Sequence, residues 1–259
     1  MGLDTKVGIV GGTRGMGAWF ADFLEKQSIE VYRVGRKTAL TPQMMARLCD
    51  VIVISVPIKD TIPMIEELSP LVSERSLMMD LTSIKKGPID AMMSHSKSEV
   101  IGTHPLFGPE ESGEGLNMII CPGRTKRWLG WLTKIIENGG IHIQTMTPEK
   151  HDQLMGLIQG VNHFSTLALA LCIIESGFSP EEIIQCSTQT FKQRIDRLKS
   201  LLNQSSELFS SLLIDNSESY KYIDKYNQAT QELATIVQKK DKTGFQKLFD
   251  ELKIQEIFV

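Results

Sequence analysis

Short apolar runs alternate with amphipathic or loop-like segments along the first half of the chain. Seven such runs stand out: VGIV (7–10), VYRV (31–34), VIVIS (51–55), LMMDL (77–81), VIGT (100–103), MIIC (118–121) and IHIQT (141–145). Each is bounded by Gly, Pro, Asp or polar residues, a pattern that predicts strands. Between them, residues 16–26, 42–48, 59–68 and 126–137 carry helical spacing. Strands that alternate with helices predict an α/β domain with a mostly parallel, Rossmann-like sheet.

The pattern changes at Thr147-Pro148-Glu149, where Thr147 can cap a helix that has Pro148 in its first position. Almost no strand signal follows, so a second, all-α domain is expected. The predicted division is 1–147 and 148–259. In EKHDQLMGLIQGVNHFSTLALALCIIES the second half is apolar on more than one face. It therefore predicts a helix buried against other helices or against a partner subunit. Gly177 to Pro180 should end that helix.

Composition narrows the classes without choosing a chemistry. With 41% hydrophobic residues, 23% charged residues and a net charge of −3, the chain resembles a soluble globular protein with no global attraction for nucleic acid or an anionic membrane. The four cysteines, Cys49, Cys121, Cys172 and Cys186, are far apart and form no zinc-ligand spacing, so no disulfide and no structural metal are expected. Asp4 and its neighbours lead into the first strand without the basic start of a signal peptide. A cytoplasmic location is the expectation. The longest apolar stretch, LALALCII, is far short of the roughly 20 residues that span a bilayer, and no membrane segment is expected.

Chemistry begins directly after the first strand with GGTRGMG: Gly11, Gly12, Thr13, Arg14, Gly15, Met16 and Gly17. Glycines between a strand and a helix let backbone N–H groups approach a pyrophosphate at the positive end of that helix. The string is imperfect, because Arg14 takes the place of the middle glycine when Gly12 and Gly17 are aligned with the outer two. It also fits the GxxxGxG of short-chain dehydrogenases, but none of the four tyrosines has the lysine four residues later that their chemistry needs. The second strand ends in Gly35, Arg36 and Lys37, without the carboxylate that usually receives the ribose 2′-hydroxyl of NAD. Two cations there favour NADP over NAD; a solvated basic turn is the ordinary alternative.

Three further stretches end predicted strands, where open α/β sheets place their ligands. They are Ser55-Val56-Pro57, DLTSIKKG (80–87) and THPLFGP (103–109). The last holds His104 in what reads as a rigid loop locked by Pro105, Gly108 and Pro109. A histidine there is suited to proton transfer near neutral pH.

In this order and at this spacing, GGTRGMG, SVP, DLTSIKKGP, GTHPLFGP and EKHDQLMGLIQGVNHF resemble the prephenate dehydrogenase family, which includes arogenate dehydrogenases. The resemblance implies NAD(P)-dependent oxidative decarboxylation of prephenate or arogenate on the route to tyrosine, by a homodimer joined through its helical domains. It assigns His104 to the substrate ring hydroxyl, helped by Ser83. It places Gln159 and His163, four residues apart, on the substrate side of the cleft, and matches His151 to a family histidine. Ordinary roles compete: Ser83 as the N-cap of a helix over KKGPIDAM, Lys85 as a solvated charge, and His151 with Asp152 as a surface ion pair.

One departure bears on substrate. Where the family usually carries an arginine that clamps a carboxylate, this chain has Ser200. Arg197, one helical turn earlier, is the nearest replacement, ahead of Arg194 and Lys192. Two alternatives follow: a related NADP-dependent oxidoreductase for another cyclic or carboxylated alcohol, or a protein that senses NADP or a metabolite without turnover.

Overall fold

A computed structural model describes residues 5–255; Asp4, which the sequence reading places at the lead-in to the first strand, lies outside them. All seven expected strands form, and they make one sheet. They are β1 (Lys6–Val10), β2 (Glu30–Val34), β3 (Val51–Ile54), β4 (Leu77–Asp80), β5 (Glu99–Pro105), β6 (Asn117–Pro122) and β7 (His142–Thr145), in the spatial order β2-β1-β3-β4-β5-β6-β7. All neighbours are parallel except β5 and β6, which pair antiparallel. Helices α1 (Gly15–Glu25), α2 (Pro42–Leu48), α3 (Ile58–Leu68), α4 (Lys86–His95) and α5 (Trp128–Asn138) cover the two faces.

The strands read as continuous apolar runs because both faces of a parallel sheet are covered. One core packs Val7, Val53, Met79 and Ile101 under α1 and α5. The other packs Ile52, Ile54, Met78 and Val100 under α2, α3 and α4. Each fully buried aliphatic side chain contributes about 1.5–3 kcal/mol. The chain order reverses between β1 and β3, so the loops after these two strands face each other at their carboxyl ends.

The helical half begins as expected at Thr147, whose side chain accepts from the N–H of Lys150 and is followed by Pro148 in the first turn. From Pro148 to Glu175 the backbone is one continuous helical run of 28 residues. It divides into α6 (Pro148–Met155), a π-helical segment (Gly156–Val161) and α7 (Asn162–Glu175). Then follow α8 (Pro180–Cys186), α9 (Gln189–Leu202), α10 (Ser206–Ile214), α11 (Ser217–Gln238) and α12 (Lys242–Lys253). Among the described residues this half contains no strand.

One expectation about the long run is corrected. Within it, an 18-residue window has mean hydropathy 1.6 and is long and apolar enough to cross a membrane by length and composition. An uninterrupted apolar string underestimates such a helix, because small polar residues such as Ser165 and Thr166 hardly lower its mean. Within one chain its second half, α7, has no buried residue, which leaves the partner-subunit alternative of the two expected for it.

The π segment has a packing cause. A side chain at Gly156 would place its Cβ 2.9 Å from the backbone of Glu218, so only glycine lets α11 lie this close. The extra residue per turn in a π segment is a recurrent feature of functional sites.

Candidate active site

The glycine loop closes on the strand beside it. Gly11 has φ +84°, and a Cβ there would meet the Ser55 carbonyl oxygen at 1.9 Å. At Gly17 a Cβ would lie 2.4 Å from the Gly11 carbonyl oxygen. These contacts bring GGTRGMG and Ser55-Val56-Pro57 together at the reversal of strand order, where such sheets hold nucleotides. Helix α1 starts with no side-chain cap and no acid in its first turn. Its first N–H groups are thus free to donate to an anion. Thr13, Arg14 and Gly15 are exposed around this helix end, and Met16 is half-buried. The cradle fits a dinucleotide pyrophosphate.

At the end of β2, Arg33 is engaged by Asp22 and Glu25. Arg36 and Lys37 are exposed and form no salt bridge among the described residues. Thr38 braces the turn by accepting from the Gly35 N–H at 3.1 Å.

His104 is not in a loop. It lies in β5, opposite Ile119 of β6, and Pro105 opposite Met118 ends the strand. The antiparallel return of β6 extends the pairing past the point where Pro105 and Gly108 suggest a turn. His104 is 3% exposed and shares its face of the sheet with Val100.

Around it lies a continuous chain of polar contacts. His104 Nδ1 is 2.9 Å from His151 Nε2, and His151 Nδ1 is 2.7 Å from Asp152 Oδ1. The Asp152 carboxylate also accepts from the N–H of Lys85 at 2.8 Å and of Lys86 at 2.9 Å. Asn216, which caps α11, donates to the Asp152 carbonyl at 3.0 Å. On its other side, His104 Nε2 is 3.4 Å from the Gln159 side-chain nitrogen. Gln159 is held there by the π segment.

The ordinary roles considered for this region are therefore corrected. His151 and Asp152 are buried, at 0% and 6% exposure, and are no surface pair. Lys85 is fully buried rather than solvated: its ammonium pairs with Asp80 and donates to the Thr103 carbonyl at 2.7 Å. A buried charge needs such partners to offset its desolvation. Ser83 is not a helix cap. Helix α4 begins at Lys86, and Asp152 caps it from another part of the chain. The Ser83 hydroxyl is half-buried and makes no hydrogen bond among the described residues.

Burial sets the proton affinities. Desolvation, then the neighbouring His151 and Lys85, hold His104 well below the ordinary histidine range. Burial also lowers His151, partly offset by its hydrogen bond to Asp152. For Asp152 burial acts upward, but hydrogen bonds from His151 and from the Lys85 and Lys86 backbone outweigh it and keep the carboxyl low. The network is therefore two neutral imidazoles ending on a carboxylate at neutral pH.

Two expected site residues are not brought onto His104. His163 is half-buried on α7, with its ring edge-on to Phe209 at a centroid distance of 4.8 Å and its Nδ1 buried without a partner. Arg197 is exposed on α9 and joins none of these hydrogen bonds. Asp152 and Asn216 are buried members of this hydrogen-bond network that sequence reasoning did not place in the site. The His-Asp pair just after a Thr-Pro helix start was the available signal for Asp152; Asn216 offered none.

Comparison with known proteins gives a consistent likeness. Residues 22–144 match a family profile described as prephenate dehydrogenase, nucleotide-binding domain, and residues 147–251 one described as prephenate dehydrogenase, dimerization domain. Among curated proteins, the chain is 28% identical to the T-protein of Haemophilus influenzae, over 96% of this chain and 66% of that protein. It is 29% identical to a probable arogenate/prephenate dehydrogenase of Methanocaldococcus jannaschii, over 95% of this chain and 59% of that protein. The chain thus spans about three fifths to two thirds of the length of these relatives. Among solved structures, it superposes on prephenate dehydrogenase from A. aeolicus, in complex with hydroxyphenyl propionate and NAD+, with TM-score 0.80 and 20% identity. That match covers 98% of this chain and 97% of the other. Synechocystis arogenate dehydrogenase follows at TM-score 0.76 and 19% identity, over 96% and 98% of the two chains. At these identities the superpositions establish the fold.

Proposed function

Because the chain belongs to the prephenate dehydrogenase family, we propose that it catalyses the NAD(P)-dependent oxidative decarboxylation of prephenate or arogenate. The observation that carries this reading is His104: a buried, neutral imidazole at the carboxyl end of the sheet, with Nε2 turned toward Gln159. Gly11, Gly12, Gly17 and the start of α1 would hold the pyrophosphate, with Ser55, Val56 and Pro57 lining the facing loop. The dinucleotide supplies one function, acceptance of a hydride from the ring carbon that bears the hydroxyl.

The protein's own work is positioning and proton management. As that carbon loses hydride, His104 Nε2 takes the hydroxyl proton and a carbonyl develops. Loss of carbon dioxide from the para carbon returns an electron pair to the ring, which becomes aromatic, and the oxygen recovers its proton from His104. Ser83, without a hydrogen-bond partner among the described residues, donates to the same oxygen. Gln159 borders the ring, and His163 offers an unpartnered nitrogen from α7. His151 acts on the substrate through His104. Arg197 is the candidate for the substrate carboxylate on the strength of the likeness alone.

Arg36 and Lys37, exposed at the end of β2 and in no salt bridge among the described residues, support NADP over NAD. The unburied face of α7, with Leu171 at 60% and Ile174 at 76% exposure, supports a homodimer through the helical half. Analytical ultracentrifugation should give twice the chain mass, and a monomer at micromolar concentration would remove that part of the reading.

The deciding assay follows absorbance at 340 nm with prephenate and arogenate, each with NAD and NADP. Reduction is expected with at least one substrate and a lower KM for NADP. A folded protein that binds dinucleotide and reduces none of it with either substrate would end the proposal.

A further inference from the structure

We infer that His151 and Asp152 are positioning residues that fix the tautomer of His104, presenting a lone pair at Nε2. The inference rests on the reading of His104 as the proton acceptor. It follows link by link from the hydrogen bonds. An ionised carboxylate only accepts, so the contact between Asp152 Oδ1 and His151 Nδ1 at 2.7 Å puts the His151 proton on Nδ1. In the neutral ring Nε2 is then an acceptor. It lies 2.9 Å from His104 Nδ1, which must carry the His104 proton. What remains on His104 is an unprotonated Nε2, and the group facing it is the Gln159 side-chain nitrogen, a donor.

The carboxylate is itself immobilised. It holds the N–H groups of Lys85 and Lys86, and the Asp152 carbonyl is held by Asn216. The same turn carries Ser83 two residues before Lys85. One side chain from the helical half therefore sets both the protonation pattern of His104 and the place of Ser83. When Nε2 takes the substrate proton, one O–H bond breaks and one N–H bond forms. The resulting positive charge on the imidazole pair faces Asp152.

Histidine-selective 15N labelling of the dinucleotide-free protein, with long-range 1H–15N correlation, reads the tautomer directly. Wild-type protein should show His104 as the Nδ1–H form. Asp152→Ala removes the oxygen that accepts from His151 Nδ1, leaves the His151 proton free to move to Nε2 and should populate the Nε2–H form of His104. Its kcat should then fall by at least ~100-fold, as in triads that lose the orienting carboxylate, with KM and dinucleotide affinity within about threefold.

Should loss of the α4 cap unfold Asp152→Ala, a second pair decides. His151→Gln places an amide oxygen near the His151 Nε2 position and should keep the Nδ1–H form, with kcat within ~10-fold of wild type. His151→Leu should lose the form and at least ~100-fold in kcat. A wild-type Nε2–H tautomer, an unchanged tautomer in folded Asp152→Ala, or equal losses in His151→Gln and His151→Leu would overturn the inference. Because the tautomer is read without substrate, a wild-type protein that shows Nδ1–H yet turns over neither substrate would refute the functional reading alone.

Discussion

The sheet half and the helical half solve the burial problem differently. Residues of the sheet half close over two cores, one on each face, with Ile52, Ile54, Met78 and Val100 at 0% exposure. The helical half buries only a few apolar side chains, such as Leu198, Leu201, Phe209 and Leu212, and leaves Ile174 and Ile214 at 76% and 77% exposure. Yet its polar residues at the seam, His151, Asp152 and Asn216, are buried and fully engaged. A half that is loose in its apolar packing and strict in its hydrogen bonds is built to meet two surfaces: the sheet, and another apolar face.

The largest expected effect tests how the chemistry is divided. His104→Asn, in the sheet half, should lower kcat by about 10³-fold, within the usual range for loss of a general base. Gln159→Leu, in the helical half, removes one hydrogen bond and should cost no more than about tenfold. Steady-state kinetics on both variants would break the comparison if their order were reversed.

Packing comes next. Ile54→Ala should destabilise the protein by about 2–5 kcal/mol in urea unfolding, as for other fully buried aliphatics. Ile174→Ala should change the stability of the isolated chain by less than about 0.5 kcal/mol but weaken the concentration dependence of Tm that self-association produces.

A smaller effect is expected at the π segment. Gly156→Leu forces its side chain against the Glu218 backbone; it should cost about 1–3 kcal/mol and raise KM as Gln159 is displaced. A fully stable Gly156→Leu with unchanged kinetics would remove the packing cause given for the π turn.

The smallest effect is on pH dependence, and its sign follows from burial. His104, His151 and His163 all sit below their ordinary value of 6.5 in the folded protein. The unfolded chain therefore binds more protons as pH falls below about 6.5, and stability declines from there downward. Activity, which needs neutral His104, should persist below pH 6.5 and fall only as pH passes through the lowered value. Thermal melts and kcat/KM between pH 5 and 8 would check both, and an activity loss centred above 6.5 would contradict the burial argument.

Much of this was legible in the residues, for reasons that are local. The runs around Ile9, Val53 and Met79 are strands because a covered parallel sheet needs apolar residues on both faces, and Thr147-Pro148 is a helix start by its own chemistry. His104 was found but misplaced: Pro105 and Gly108 signal a turn, and only the pairing with Met118 and Ile119 carries the strand through. Lys85 and Asp152 were undervalued because their partners, Asp80, Thr103, His151 and the α4 backbone, are assembled by the fold. The π segment had no local signal beyond Gly156 and Gly160, whose meaning depends on α11 some sixty residues later.

Asp152, whose carboxylate reaches both His151 and the start of α4, also bears on the order in which the protein is made. Among the described residues, 5–147 hold every strand, most of both sheet cores and His104, but not His151 or Asp152, the groups inferred to decide which of its nitrogens holds the proton. On the reading proposed above, a chain leaving the ribosome would complete its nucleotide cradle first, and His104 would gain its partners, and with them its chemistry, only when the helical half has docked.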